Sequence, residues 1–475
     1  MPVILVPQAS LRKELGLSAT ERYFSFANLV EDQRITELEK QIASKRGRSE
    51  ELNPLEKDAE IILNRMQTLH DVISGAAFAI VPNPGKPNDR WVQPPQTADF
   101  FGMESAEKLR GLLKQTADAY RARDADGFRQ VTGELRRLLV GLAPANYPSV
   151  AEIDREVHYN HLHPFRWAWI LYAAGFFLLL AGRTQRLGGW IFAGGLAFHA
   201  YGILLRCLIA GRPPVTNMYE SVIWVGFGVA AFAMIFSLVL RARIYLTAAA
   251  PLSVLALILA DSLPSVLNPS IAPLPPVLRD NFWLMVHVLT ITLGYAAFAV
   301  AMGFSHCILG RYLFRPSMIG EKSDLHRLLY RVLQVGVLLL AAGTILGGVW
   351  ANYSWGRFWG WDPKETWALI ALLTYIFAIH GKMIGWWGNF GLAVAGAVCF
   401  NAVLMAWYGV NFVLGKGLHS YGFGGGGAAW VGSIVVLDLL FVGLCIRARL
   451  KQPREESEAL DSRTTEGKEP AALKI

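Results

Sequence analysis

The sequence predicts an all-α polytopic membrane protein, with about nine transmembrane helices preceded by a small, mostly helical extracytoplasmic domain. Three observations lead there. The 475 residues are 53% hydrophobic and only 17% charged, a balance that fits membrane chains better than soluble ones. From Trp167 onward, apolar runs follow one another, each long enough to cross roughly 30 Å of hydrocarbon as a helix. Lys and Arg are concentrated in alternate connecting loops, so the net charge of +8 reports orientation and is no nucleic-acid signature.

Residues 1–166 are polar and form the expected extracytoplasmic region. In "DAEIILNRMQTLHDVIS" and "ESAEKLRGLLKQTADAYRARD", apolar residues recur every three or four positions, the helical period. The Pro-rich "VPNPGKPNDRWVQPPQ" separates the two segments, and no catalytic motif stands out. The opening "MPVILVPQASLRKELG" has no charged region followed by an apolar one, so it does not read as a signal peptide. An exported domain without a leader implies that Met1 is not the start of an independent export unit. Either upstream spans precede it in the native chain, or a separate partner supplies them.

Spans are expected near 167–182, 188–209, 218–240, 246–262, 282–310, 332–350, 367–385, 390–414 and 428–446, closing a transmembrane domain at 167–446. A cytoplasmic, disordered tail follows at 447–475. One set of loops carries Arg183, Arg186, Arg241, Arg243, Arg311, Arg315, Lys322, Arg327, Arg331, Lys382, Arg447, Arg449 and Lys451. The other carries Arg212, Arg279, Arg357, Lys364 and Lys416. The positive-inside rule makes the first set cytoplasmic. The loops near 211–217, 263–281, 351–366 and 415–427 then share the opposite face with the N-terminal domain. The membrane is a cytoplasmic (inner) or thylakoid-type one. Cys207, Cys307, Cys399 and Cys445 form no C-x-x-C pair and read as small buried side chains.

Three unusual features converge on that outer face. "WGRFWGWDPKETW" (355–367) interleaves four tryptophans with Asp362, Lys364 and Glu365. His287 lies six residues into its span, about 9 Å deep at the helical rise. His419 sits in the glycine-rich "GKGLHSYGFGGGG". Taken singly, these read as an aromatic belt, an interfacial histidine and a mobile loop. Together they suit a planar iron macrocycle, with imidazoles as axial ligands and indole faces burying the ring. Arg357 and Lys364 are the expected partners of its carboxylates. His380 lies about 20 Å deeper by helix rise and is a second candidate ligand. His199, near the middle of its span, is a weaker one. His306, His326, His70, His158, His161 and His163 read as structural.

The form W-G-x-x-W-x-W-D-x-K-E-x-W resembles the WWD motif of the haem-handling CcsA (ResC) proteins, which serve system II cytochrome c biogenesis. "GRPPVTNMYESVIWVG", "LMVHVLTITLGYAAF" and "GKGLHSYGFG" resemble that family in order and spacing. The resemblance implies that haem b is carried across the membrane as a substrate and presented in an outer WWD pocket. There it is attached through thioethers to a C-x-x-C-H apocytochrome c, a haem lyase-type activity exercised in a complex. It implies His287 and His419 as outer axial ligands. Trp355, Gly356, Trp359, Trp361, Asp362, Lys364, Glu365 and Trp367 would form the platform, and His380 would serve a deeper transmembrane site. The partner histidine of that deeper site belongs, in the family, to a CcsB (ResB) component whose span has no counterpart here. A separate CcsB-type chain is therefore expected, with His199 as the alternative ligand. Thiol-reducing proteins are further expected partners. "YPSVAEIDREVHYNHLHPFRWAWILY" resembles the segment that joins the two components in fused versions. Two readings compete: a haem transporter or haem-loading WWD protein without lyase activity, and a haem-bearing respiratory subunit.

Overall fold

The computed structural model describes residues 2–47, 52–85, 90–262, 267–271, 282–314, 324–414 and 427–451. The chain divides into two compact units, Met1–Ser149 and Val150–Ile475.

In the first unit, strands β1 (Pro2–Leu5) and β2 (Tyr23–Ser25) pair antiparallel. Helices α1 (Ala9–Glu14), α2 (Phe26–Val30), α3 (Gln33–Gly47) and α4 (Pro54–Ser74) enclose a core that includes Val6, Leu11, Phe24, Leu29 and Ile62. Strands of four and three residues are too short to display a period of two, which is why only helices were legible here. Asn53 and Glu56 form a capping box that starts α4: Asn53 Oδ1 accepts from Glu56 N at 2.8 Å, and Glu56 Oε2 accepts from Asn53 N at 2.9 Å. Helices α5 (Thr97–Ala122) and α6 (Ala125–Leu142) share a second core, in which Leu109 and Leu139 meet the bridged pair Val81 and Val92 of the Pro-rich break.

Among the described residues of the second unit every regular element is a helix. It comprises α7 (Val150–Leu162), α8 (Pro164–Leu180), α9 (Gln185–Ala210), α10 (Met218–Val239), α11 (Ile244–Ser262), α12 (Phe282–Phe314), α13 (Asp324–Trp355), α14 (Pro363–Met383), α15 (Asn389–Val398), α16 (Phe400–Leu404), a π-helical Met405–Leu414 and α17 (Ala428–Leu450). Among the described residues eight segments are long and apolar enough to cross a membrane: α9 to α12, Leu325–Trp355, α14, Asn389–Leu414 and α17. The first expected span is α8, an apolar helix of 17 residues opened by Pro164, where a missing N–H costs nothing. It lies so close to α9 that a Cβ on Gly188 would stand 2.9 Å from Leu179 N. The expected all-α polytopic membrane class is the observed one.

Helix α12 runs through the middle of the bundle and packs on α10, α11, α13, α15 and α17. Its approach to α13 depends on small residues, since a Cβ on Gly343 would lie 2.7 Å from Ile291 Cα. The span expected at 390–414 is not one regular helix. It breaks at Cys399 and then widens into the ten-residue π segment. π turns inside helices are frequent at functional sites because they re-aim side chains.

Candidate functional site

One end of the second unit contains a cavity of about 320 Å³, at the lower edge of the range typical for small-molecule sites. Its walls come from the 211–217 connection and the start of α10, from α12 (His287, Ile291, Tyr295), and from α13 (Thr344, Gly347, Gly348, Trp350). Phe358 and Trp359, the start of α14 (Lys364, Glu365) and the π segment (Trp407, Asn411) complete it.

His287 is held by α13. Its Nδ1 donates to Gly343 O at 2.7 Å; a carbonyl only accepts, so the acceptor lone pair of the ring is on Nε2. One turn further along α13, a Cβ at Gly347 would come within 2.6 Å of His287 Cε1. Gly343 and Gly347 thus form a G-x-x-x-G cradle for the imidazole.

The tryptophan loop is folded by its own charges. Helix α13 stops at Trp355, and Gly356 takes φ +71° while its N–H bonds to Asn352 O at 3.0 Å. Asp362 caps α14, accepting from Lys364 N at 2.8 Å, with Pro363 in the first turn. Glu365 closes the capping box from the other side. Its Oε2 accepts from Gly360 N at 2.7 Å and Asp362 N at 3.3 Å, and its Oε1 takes Arg357 Nη1 at 2.8 Å. Arg357 also lies 5.4 Å above the Trp355 ring. Trp355 packs edge-on against the fully buried Trp350 at 4.6 Å. Trp359 meets Trp361 edge-on at 5.8 Å, and Trp361 is exposed with φ +55°. Trp367 is half-buried in α14.

Of the expected site residues, the structure brings His287, Trp359, Lys364 and Glu365 to one cavity. Arg357, Asp362 and Gly356 shape the loop behind it. His419 lies outside the described residues. His199 is fully buried elsewhere, its Nε2 2.9 Å from Ile223 O and its Nδ1 3.3 Å from Tyr172 OH, so both ring nitrogens are occupied. His380 is exposed near the end of α14, and its Nδ1 donates to Ile376 O at 2.9 Å.

Several contacts around the cavity were not anticipated by the sequence reading. Lys364 Nζ donates to Asn411 Oδ1 at 3.1 Å, and Asn411 Nδ2 donates to Trp407 O at 2.8 Å. Trp407 Nε1 donates to Ser221 Oγ at 3.0 Å, which ties the π segment to α10. In the 211–217 connection Arg212 Nη2 donates to Thr216 Oγ1 at 3.1 Å. Thr216 in turn donates to Glu220 Oε2 through its N–H at 2.9 Å and its hydroxyl at 2.6 Å. Glu220 Oε1 accepts from Arg206 Nη2 at 2.9 Å, and both partners are only 1% exposed. Asn411 was visible only as a lone polar residue inside the span expected at 390–414, and Arg212, Thr216 and Glu220 lie in "GRPPVTNMYESVIWVG", a stretch quoted for its resemblance but given no site role.

A bundle of membrane-crossing helices with a histidine and a tryptophan loop around one cavity defines a polytopic membrane protein with a lined cavity at one end of its second unit. The family described as "Cytochrome C assembly protein" matches residues 215–419, a stretch that includes every cavity wall except Gly211 to Pro213. The cytochrome c biogenesis protein CcsA of Prochlorococcus marinus (strain NATL1A) is 31% identical over 296 residues, covering 55% of this chain and 93% of its own length. CcsA of Synechococcus sp. (strain CC9902) is 34% identical over 251 residues, 46% of this chain and 82% of that protein. Protein NrfI of Wolinella succinogenes is 28% identical over 455 residues, 89% of this chain, and the chain spans about half of NrfI, 48%. The chain belongs to the CcsA family of cytochrome c biogenesis proteins.

Proposed function

We propose that this protein moves haem b across the membrane and presents it in the described cavity for covalent attachment to a C-x-x-C-H apocytochrome c. The observation that supports the reading most directly is the seating of His287. One ring nitrogen is fixed on Gly343 O, the tautomer with its lone pair on the other nitrogen, the second-sphere arrangement that orients metal-binding imidazoles. The apolar and aromatic walls of the cavity suit a planar macrocycle, whose iron would take imidazole ligands. His287 would be one axial ligand and His419 the other, with Trp355, Trp359, Trp361 and Trp367 around the ring.

Attachment needs little acid–base machinery from this chain. An acceptor cysteine thiolate bonds to a vinyl carbon, and a proton ends on the neighbouring vinyl carbon, with no net oxidation. The residues here hold the ring, exclude water and fix the approach of the peptide. His380 would serve a second, transmembrane haem site. Its exposure near the end of α14 suits a ligand completed by a separate CcsB-type chain. In this reading the tryptophan loop and residues 1–166 face the extracytoplasmic side and the C-terminus is cytoplasmic.

The test is a visible spectrum of the detergent-purified protein, alone and with a CcsB-type partner, followed by addition of a C-x-x-C-H apocytochrome. Wild type is expected to carry six-coordinate, bis-histidine haem and to yield acceptor whose haem resists acid–acetone extraction. His287→Ala is expected to lose both signals. Full haem and full yield in His287→Ala would sink the ligand assignment, and haem bound without covalent product would favour a transporter.

A further inference from the structure

We propose that His306 and Asp438 form a proton-binding site inside the membrane-crossing bundle, with one proton held between imidazole and carboxylate, and that this proton fastens α17 to α12. Neither residue lines the cavity described above, and the proposal does not rest on the haem reading.

His306 lies about 12 Å in from the end of α12 at Phe314, and Asp438 about 18 Å in from the end of α17 at Leu450, by helix rise. These two ends are neighbours, since Arg449 stands 5.5 Å from the centre of the Tyr312 ring. Ionisable side chains at such depth are costly and mark functional groups. The contacts of the imidazole count its protons. Nδ1 lies 2.8 Å from Met302 O, and a carbonyl only accepts, so that nitrogen bears a hydrogen. Nε2 then has only a lone pair, unless a further proton is added. It stands 2.7 Å from Asp438 Oδ1, and a carboxylate also has only lone pairs to offer. Two acceptors do not approach closer than a hydrogen bond of about 2.9 Å without a proton, so the pair holds one. Oδ1 makes no aligned hydrogen bond, and the approach is that of an ion pair. Oδ2 takes Asn401 Nδ2 at a long 3.5 Å. The imidazole also lies flat on Phe441, with ring centres 5.4 Å apart and planes at 14°. Among the described residues no other ionisable group touches it. Those carried by the packed helices at this end are Cys307 and Arg311 on α12, Tyr245 on α11, Arg331 on α13, Tyr375 on α14, Cys399 before α16 and Cys445 on α17. With 32% of the His306 side chain exposed, the proton can exchange.

The contact matters because α17 is the least enclosed of the eight membrane-crossing segments among the described residues. Its inward stripe runs through Asp438, Phe441, Val442 and Cys445, the three- and four-residue spacing of one helical face. Loss of the proton would leave a carboxylate uncompensated in apolar surroundings and facing a lone pair, and α17 would loosen. The fastening is present where the proton is bound and is lost as pH rises and the proton leaves to solvent.

The test uses the full chain in lipid nanodiscs. Nitrogen NMR of the histidine rings separates an imidazolium from either neutral tautomer, and the His306 signal is the one that His306→Gln removes. At neutral pH wild type is expected to show both nitrogens of His306 protonated, or a carboxylic acid band in the infrared that Asp438→Asn abolishes. A neutral His306 ring beside an ionised Asp438 overturns the proton site. Fastening is read as amide hydrogen exchange over residues 436–446, corrected for the intrinsic effect of pH. Wild-type exchange there is expected to rise about 10-fold or more from mildly acid to alkaline pH, as a buried pair loses its compensation. The carboxamide of Asp438→Asn can donate to Nε2 with no added proton, so its exchange should stay flat over the same range. An equal rise in wild type and Asp438→Asn overturns the fastening role. Flat exchange in wild type overturns it as well, and that measurement needs no variant to fold.

Discussion

His287 and Gly343 are joined by a hydrogen bond of 2.7 Å from the imidazole Nδ1 to the main-chain oxygen. The bond depends on glycine at 343, because a Cβ there would lie 2.7 Å from Ile291 Cα and push α12 away. The same cradle continues at Gly347, where a side chain would meet the ring itself. A backbone acceptor is a firm anchor for a ligand histidine, since it does not change rotamer or charge.

Gly347→Val should therefore disturb the site more than the bundle. Its Cβ would stand 2.6 Å from His287 Cε1, and overpacking of this kind costs about 1–3 kcal/mol. The ring is expected to rotate off Gly343 O, giving lower haem content and a shifted Soret band. Gly310→Val provides the control, because a Cβ there meets nothing within 4 Å. Equal spectra for the two variants would show that the cradle does not position His287.

Glu365 should separate loop folding from charge. Gln can still cap an N-terminus through its carbonyl oxygen, so Glu365→Gln loses mainly the Arg357 pair, which is 29% and 9% exposed. Glu365→Ala loses the cap as well, a further cost of about 1 kcal/mol. Protease cleavage between residues 355 and 362 should rise in the order wild type, Gln, Ala, and cytochrome c yield should fall in the same order. Unchanged cleavage in Glu365→Ala would mean that the carboxylate is not what folds the loop.

Much of the fold was legible because hydropathy is a one-dimensional signal: each apolar run from Gln185 onward became a helical segment of membrane-crossing length, the one at 389–414 broken at Cys399. The tryptophan loop was legible as a unit, but its charges were not. Asp362-Pro363-Lys364-Glu365 is a capping box, a local reading that needs no tertiary structure. It commits the carboxylates of Asp362 and Glu365 to the loop's own fold, while Lys364 reaches across to Asn411. The Lys364–Asn411 and His287–Gly343 contacts join residues 47 and 56 positions apart, and no periodicity reports such pairs. The π winding of Met405–Leu414 was hidden for a different reason: its composition is that of any apolar helix, and only the backbone distinguishes it.

In the first unit, Lys45 Nζ donates to Glu56 Oε1 at 2.6 Å, and this contact together with the Asn53 cap holds the Glu56 carboxyl below the usual carboxylate value. A lowered folded-state pKa means that the unfolded chain takes up its proton first as pH falls. The stabilisation is present in full above the unfolded value and is lost as pH drops through the folded one. The gap in thermal stability between wild type and Glu56→Gln should be largest near neutrality and close on acidification below the normal glutamate range. A gap that is constant from neutral to acid pH would show that the charge of Glu56 is irrelevant to folding.

The Arg206–Glu220 pair should behave as a buried strut rather than a source of net stability. Both side chains are 1% exposed, and Arg206 also reaches Pro269 O at 2.9 Å and Tyr159 OH at 3.2 Å. Its guanidinium lies 4.9 Å from the Tyr219 ring centre. Desolvating two charges offsets most of their attraction, yet removing one partner leaves the other buried and uncompensated, at about 3–5 kcal/mol. Glu220→Ala also frees the N–H and hydroxyl of Thr216, so the wall bearing Arg212 should loosen. Arg206→Met with Glu220→Leu should melt closer to wild type than either Glu220→Leu or Arg206→Met alone, yet bind hemin more weakly than its stability suggests. Strictly additive losses across the three variants would mean that the two residues act independently and that no strut connects α9 to the cavity wall.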